Sequence, residues 1–221
     1  MPDAPVPDQG ATASLAPPDL GDLDRQAQAR ALVLLGGFHE DGATVLLLGP
    51  DPDRFWPTLR TAPEWGGPDP VDRWSRRVLT DWARTLGARA RFPFGTPREP
   101  FVTWALRTGR CHLSPAHMLV HDAQGLMVSF RGALVLPGRL SLPPPPPSPC
   151  TGCPAPCLAA CPVRAVGARG YDLAACHAWL DDPRNDCMAK GCAVRRACPA
   201  SPPRPDAQSA HHMASFHAEA P

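Results

Sequence analysis

The chain has almost no lysine: Lys190 is the only one in 221 residues, and arginine supplies the remaining strong cations. Tyr171 is the only tyrosine, and aromatic residues make up 6% of the whole. Net charge is nearly absent, since 22 Lys and Arg against 21 Asp and Glu leave a formal +1. Such a balance offers no whole-molecule field for nucleic acid or an anionic membrane surface. Long apolar runs are missing too. The longest, at residues 32–35 and 45–48, are of strand length, far short of the ~20 residues of a membrane-spanning helix. The opening Met1-Pro-Asp-Ala-Pro-Val-Pro-Asp has no basic stretch followed by an apolar one. The expectation is a cytoplasmic protein with no membrane or nucleic-acid partner. No Walker loop, dinucleotide fingerprint, Gly-x-Ser-x-Gly elbow or paired metalloprotease histidines occur.

Proline is abundant, with 31 residues, and residues 143–147 are five consecutive prolines. That stretch is stiff, extended and poor in backbone N–H groups, so it marks a boundary. The chain divides into a mobile N-terminal arm (1–28, with a short helix near its end), a domain (29–140), a proline linker (141–149), a cysteine module (150–200) and a C-terminal tail (201–221, with a short helix at 208–217).

Within 29–140, Ala31-Leu-Val-Leu-Leu and Ala43-Thr-Val-Leu-Leu-Leu read as buried strands joined by a tight Asp41-Gly42 turn. Phe55–Arg60 reads as a short helix. Asp69 and Pro70 are suited to cap and open a longer one, along which Val71, Trp74, Val78, Trp82 and Leu86 recur at helical spacing until Gly87. Residues 88–92 read as a strand and Phe101–Arg107 as a helix. Residues 118–121, 125–130 and 133–136 read as a three-stranded meander. The expected class is α+β: a mixed or antiparallel sheet of about five strands with packed helices, followed by a small ferredoxin-like cysteine module.

Eight of the nine cysteines fall in the last third. Four form one run, Cys150-Thr-Gly-Cys153-Pro-Ala-Pro-Cys157-Leu-Ala-Ala-Cys161-Pro162. Four thiolates at short spacing, closed by Cys-Pro, are how a chain wraps an iron–sulfur cluster. The middle spacing is one residue longer than the common bacterial run, which lengthens a loop without removing a ligand. The second group is Cys176, Cys187, Cys192 and Cys198-Pro199, with ten, four and five residues between its members. Eight thiolates suffice for two [4Fe–4S] clusters. In two-cluster ferredoxins the last cysteine of a run serves the other cluster. That scheme assigns Cys150, Cys153, Cys157 and Cys198 to one cluster, and Cys161, Cys176, Cys187 and Cys192 to the other. The expected function is one-electron transfer to or from a redox partner protein. Competing readings are a single cluster, structural zinc stapling a non-redox module, or disulfides. Haem attachment is excluded because no histidine follows a Cys-x-x-Cys pair. Arg164, Arg169, Lys190, Arg195 and Arg196 lie around the module, where they could tune a cluster, dock an acidic partner or form a solvated face.

The module resembles the ferredoxin part of epoxyqueuosine reductases and corrinoid reductive dehalogenases. Cys176 matches an isolated cysteine ahead of the second group in the former. Gly191-Cys192-Ala-Val-Arg195-Arg-Ala-Cys198-Pro199 matches their Gly-Cys-x2-Cys-x3-Cys-Pro, with Arg195 where a cysteine would stand. The preceding domain is similar to the cobalamin-processing proteins of that superfamily at Asp69-Pro-Val-Asp72 and along His121-Asp-Ala-Gln-Gly125 to Arg131-Gly132-Ala-Leu-Val-Leu-Pro137-Gly138. The resemblance implies a cobalamin as a candidate ligand of residues 29–140, and hence, as an alternative, a corrinoid- or other cofactor-dependent reductase with the clusters as its internal relay. The chain departs from the epoxyqueuosine reductase pattern at Gly109-Arg-Cys-His-Leu-Ser-Pro-Ala, so queuosine chemistry is not expected.

Cys111 and His112 are adjacent and read as packing rather than a nucleophile–base pair. His117 and His121 share spacing, with packing or surface as the default. His211, His212 and His217 fit a docking helix near the C-terminus.

Overall fold

The computed structural model describes residues 19–167 and 170–218. Residues 1–18 of the expected arm, Arg169 and the end of the tail lie outside that range. The rest of the arm is not loose. Leu20–Gln28 form helix α1, started by Asp19, whose carboxylate accepts the Asp22 N–H at 2.7 Å. Its Leu23 and Ala27 are fully buried.

The two expected strands form a hairpin, β1 (Leu32–Glu40) and β2 (Ala43–Pro50). Asp41 and Gly42 turn it with φ of 48° and 76°, the paired left-handed conformations of the tightest hairpin turn. Helices α2 (Phe55–Arg60) and α3 (Pro70–Thr85) follow. Asp69 stands at the start of α3, but its side chain makes no cap; only its carbonyl accepts, from Arg73 N–H at 3.1 Å. Next come β3 (Arg89–Arg91), α4 (Phe101–Arg107), β4 (Cys111–Leu113), β5 (Leu119–His121) and β6 (Gly132–Pro137). The fold is α+β. Its main sheet is antiparallel in the order β1-β2-β6-β3, four strands rather than five.

Strand β2 is central and covered on both faces, which explains its unbroken apolar sequence. Leu46 and Leu48 face Leu23, Trp74, Leu79 and Trp82 of α1 and α3. Val45 and Leu47 face Phe101 and Trp104 of α4. Trp82 also donates its indole N–H to Gln26 at 2.8 Å, tying α1 to α3.

The expected meander does not form. β5 pairs with β4 in a separate two-stranded sheet, and residues 125–130 are not a strand. The reason lies in the backbone groups of Leu126. Its N–H donates to Ser201 Oγ (3.0 Å) and its carbonyl accepts from Arg195 (2.8 Å), so partners from the C-terminal third replace a neighbouring strand. Its side chain packs with Val120, Cys157 and Val194, whereas Val128 joins the α4 side of the sheet. The segment therefore crosses between two cores.

The proline stretch runs back over the sheet layer, with Pro145 against Gly109. Beyond it lie a short 3-10 helix (Pro156–Leu158), β7 (Val166–Gly167), β8 (Gly170–Tyr171), α5 (Leu173–Leu180), α6 (Cys187–Lys190), α7 (Ala193–Arg196) and α8 (Asp206–Ala218). The tail is thus largely a helix, and Met213 of α8 packs with Leu180 and Cys187. Among the described residues, no helix is long and apolar enough to cross a membrane.

Candidate metal centre

The eight module cysteines face two separate cavities. The first, about 390 Å³, is lined by Cys150, Cys153, Cys157 and Cys198. Local turns bring the first three together. Cys153 N–H donates to Cys150 carbonyl at 3.2 Å, and Leu158 N–H to Ala155 carbonyl at 3.1 Å. The extra residue of the middle spacing is absorbed by Ala155, which takes a left-handed conformation (φ 53°) between two prolines.

The second cavity, about 360 Å³, is lined by Cys161, Cys176, Cys187 and Cys192. Cys161 leaves the first run at a turn closed by Arg164 N–H on its carbonyl at 3.1 Å. Cys176 comes from α5, Cys187 opens α6, and Cys192 stands at the N-cap of α7. Cys198 follows the last residues of α7. This one-turn helix, with Val194 buried, is the partition that sends Cys192 to one cavity and Cys198 to the other.

Burial raises the thiol pKa of Cys150, Cys157 and Cys176. The lesser causes follow the same grouping: Cys153, Cys198 and Cys157 act on Cys150, and Cys192, Cys161 and Cys187 act on Cys176. Thiols held this way would release their protons to solvent when a strongly cationic group binds between them. Two donor side chains line the second cavity. Tyr171 gives its hydroxyl to Cys176 Sγ at 3.3 Å, and burial together with that bond raises the phenol pKa. The Trp179 N–H, on the cavity wall, is buried with no protein partner.

Among the described residues, no group of three or more His, Cys, Asp or Glu side chains is placed to hold a metal ion. A tetrahedral zinc would draw four thiolates to about 2.3 Å from one point, whereas a polynuclear core would use the wider space that each quartet lines. A donor set of four thiols around a space of several hundred Å³ fits a polynuclear iron–sulfur core.

The remaining candidates have structural roles. Cys111 is buried opposite His121 in the β4–β5 pair, and burial, helped by Asp122, pushes its thiol up to about 12. His121 accepts the N–H groups of Ala123 (3.0 Å) and Gln124 (3.2 Å) on Nδ1, which leaves Nε2–H to donate to Leu35 carbonyl at 3.2 Å. Both ring nitrogens are used, so it ligates nothing. Burial pushes His121 from 6.5 down to about 4, against the opposing pull of Asp122. Its neutral form belongs to the fold, so its contribution to stability is present above pH 6.5 and lost as pH falls through about 4. Urea unfolding should show a loss of up to ~3 kcal/mol over that window. His121→Asn keeps an acceptor for the two N–H groups and should flatten this slope; an unchanged slope would assign it to other groups.

His117 lies in a turn with φ 56°, off the strand that carries His121. His217 bridges Asp181 and His177, both at 2.8 Å. Of the basic residues, Arg164 is exposed, Lys190 and Arg196 pair with Asp186, and Arg195 turns inward to Leu126.

A third cavity, about 430 Å³, gathers residues that sequence reasoning did not group, among them Arg131, Arg204, Gln208 and His211. They come from the β6 approach, the segment after Cys198 and α8, and no local spacing connects them. Against protein-family models, curated proteins and solved structures alike, the chain finds no match.

Proposed function

We propose that residues 150–200 hold two [4Fe–4S] clusters and that the protein transfers single electrons between a partner protein and an acceptor. The observation that carries this reading is the division of the eight cysteines into two quartets around two cavities. One-electron chemistry is what such clusters supply when bound. The chain's part is to supply four thiolates to each, to exclude water with Val120, Leu126, Val166 and Phe216, and to set potential through hydrogen bonds to sulfur. Tyr171 and Trp179 line the second cavity, and Ser148 hydrogen-bonds Cys150 at the first, so each quartet has a side-chain donor near it. Val163 and Tyr171 line the second cavity and are 37% and 45% exposed; a redox partner would meet the cluster most directly there.

The test is the iron, acid-labile sulfide and zinc content of protein purified without oxygen, read with its visible spectrum. About eight iron and eight sulfide per chain are expected. About four would restrict the reading to one cluster. Zinc without sulfide, persisting after reconstitution with iron and sulfide, would replace electron transfer with a stapling role.

A further inference from the structure

We infer that the third cavity is a binding site for a small organic anion, one with a carboxylate or phosphate group at one end and an apolar body at the other. The inference rests on side-chain atoms that lack partners. Among the described residues, five buried side-chain N or O atoms have none, and three of them belong to this wall: Arg131 Nε, Arg204 Nη1 and Gln208 Oε1. Native folds leave few such atoms, and a concentration of them at a cavity points to a missing hydrogen-bonding occupant. Two are cationic donors and one is an acceptor, which calls for an anion that also carries an O–H or N–H.

The arginines are held with part of each fork unused. Arg131 reaches Ser129 Oγ at 3.2 Å and Asp72 at 3.4 Å. Arg204 donates through Nη2 to the neutral Gln124. Among the described residues, no carboxylate lies within ion-pair distance of Arg204 or of Arg195, the third arginine on the wall. Burial lowers the pKa of both Arg131 and Arg204, so each would be relieved by a negative charge in the cavity. The sixteen-residue helix α3 begins here with no side-chain cap, which turns the positive end of its dipole to the same space. Asp72 answers Arg131, and Asp51 and Asp53 act on Arg204 from beyond ion-pair distance; on the wall itself, Asp69 and Asp72 stand against Arg131, Arg195 and Arg204.

The rest of the wall suits an apolar body. Phe55, Trp56 and Met127 contribute to it, and His211 packs on Trp56 at 5.5 Å between ring centres. The volume lies in the usual range for small-ligand pockets, about 300–1,000 Å³. Cys192, Arg195 and His212 line this cavity and the second cysteine cavity alike. A bound anion therefore sits one side chain away from the second quartet.

Benzoate and phenyl phosphate are suitable probes, with benzyl alcohol as the neutral control and inorganic phosphate as the anion without a body. Binding is followed by calorimetry and by tryptophan fluorescence, because Trp56 is on the wall. One of the aromatic anions should bind one per chain, at least tenfold tighter than benzyl alcohol, and the preferred one identifies the headgroup class. Arg204→Gln should weaken it tenfold or more, as loss of one charged hydrogen bond does. Gln208→Leu, in the first turn of α8, serves as the second variant, and circular dichroism checks that both are folded. Affinity unchanged in both variants, or no saturable binding of either anion at millimolar concentration, overturns the inference. Iron analysis of the same samples separates the two claims. Anion binding without iron keeps the site and removes the electron-transfer reading, and iron without anion binding does the reverse.

Discussion

Cys198→Ala should empty the cavity of Cys150, Cys153 and Cys157 and spare the one closed by Cys192, only six positions earlier in the chain. Cys161→Ala should do the opposite, although Cys161 stands in the same run as the first three. Each substitution is expected to remove about four of about eight iron atoms. Electron paramagnetic resonance of the reduced protein should then show one isolated cluster, a different one in each variant. The pairing follows from α7, which separates Cys192 and Cys198, and from the turn after Cys161 that leaves the first cavity. If Cys161→Ala and Cys157→Ala gave the same residual spectrum, the ligands would be grouped by run and the crossed arrangement would be wrong.

Gly125→Ala should be among the most destabilising single substitutions outside the sheet core. A side-chain carbon there would lie 2.6 Å from the carbonyl carbon of Ala200 and from Ser201 Oγ, and φ at this position is +52°. The obstacle is backbone, which cannot rotate aside, and the conformation itself is one that side chains disfavour. The contact is also where the cysteine segment docks on the sheet layer, beside the Leu126 bonds to Ser201 and Arg195. The expected loss is about 3 kcal/mol, or roughly 6–12 °C in Tm for a chain of this size. Gly42→Ala is the natural comparison, because φ there is +76° with nothing within 4 Å of the added carbon. It should lose only the conformational part, about 1 kcal/mol. Equal losses in the two variants would mean that residues 200–201 do not press on Gly125 in solution.

Local physics made several elements legible in the sequence. The β1–β2 hairpin rests on two apolar runs around Asp41-Gly42, and α3 on its spacing of Trp74, Val78 and Trp82, both short-range signals. The first cysteine run is of the same kind, because its thiols are close enough in the chain to be recognised by spacing. The misread strand at 125–130 shows where this stops. Leu126, Val128 and Phe130 alternate like a half-buried strand, and they do pack, but against different cores. Alternation reports which side chains want burial; it does not report what their backbone groups will bond to. Helix α1 shows a related limit: the short helix near the end of the arm is legible, but its docking through Leu23 and Ala27 shows only once Trp82 and the sheet are placed beside them.

By itself, then, the sequence determined the α+β class, the hairpin, the main helices and the concentration of thiols in residues 150–198, since each depends on neighbours within one or two turns of chain. The crossed ferredoxin scheme already groups these thiols from the sequence; tertiary structure adds the two cavities they line, which depend on the direction in which α7 and the turn after Cys161 point. Tertiary structure also decided the third cavity. Arg131, Arg204 and Gln208 become one site only when α8 closes over the start of α3 and the approach to β6, and pairwise spacing in a chain carries no trace of a meeting between such distant segments.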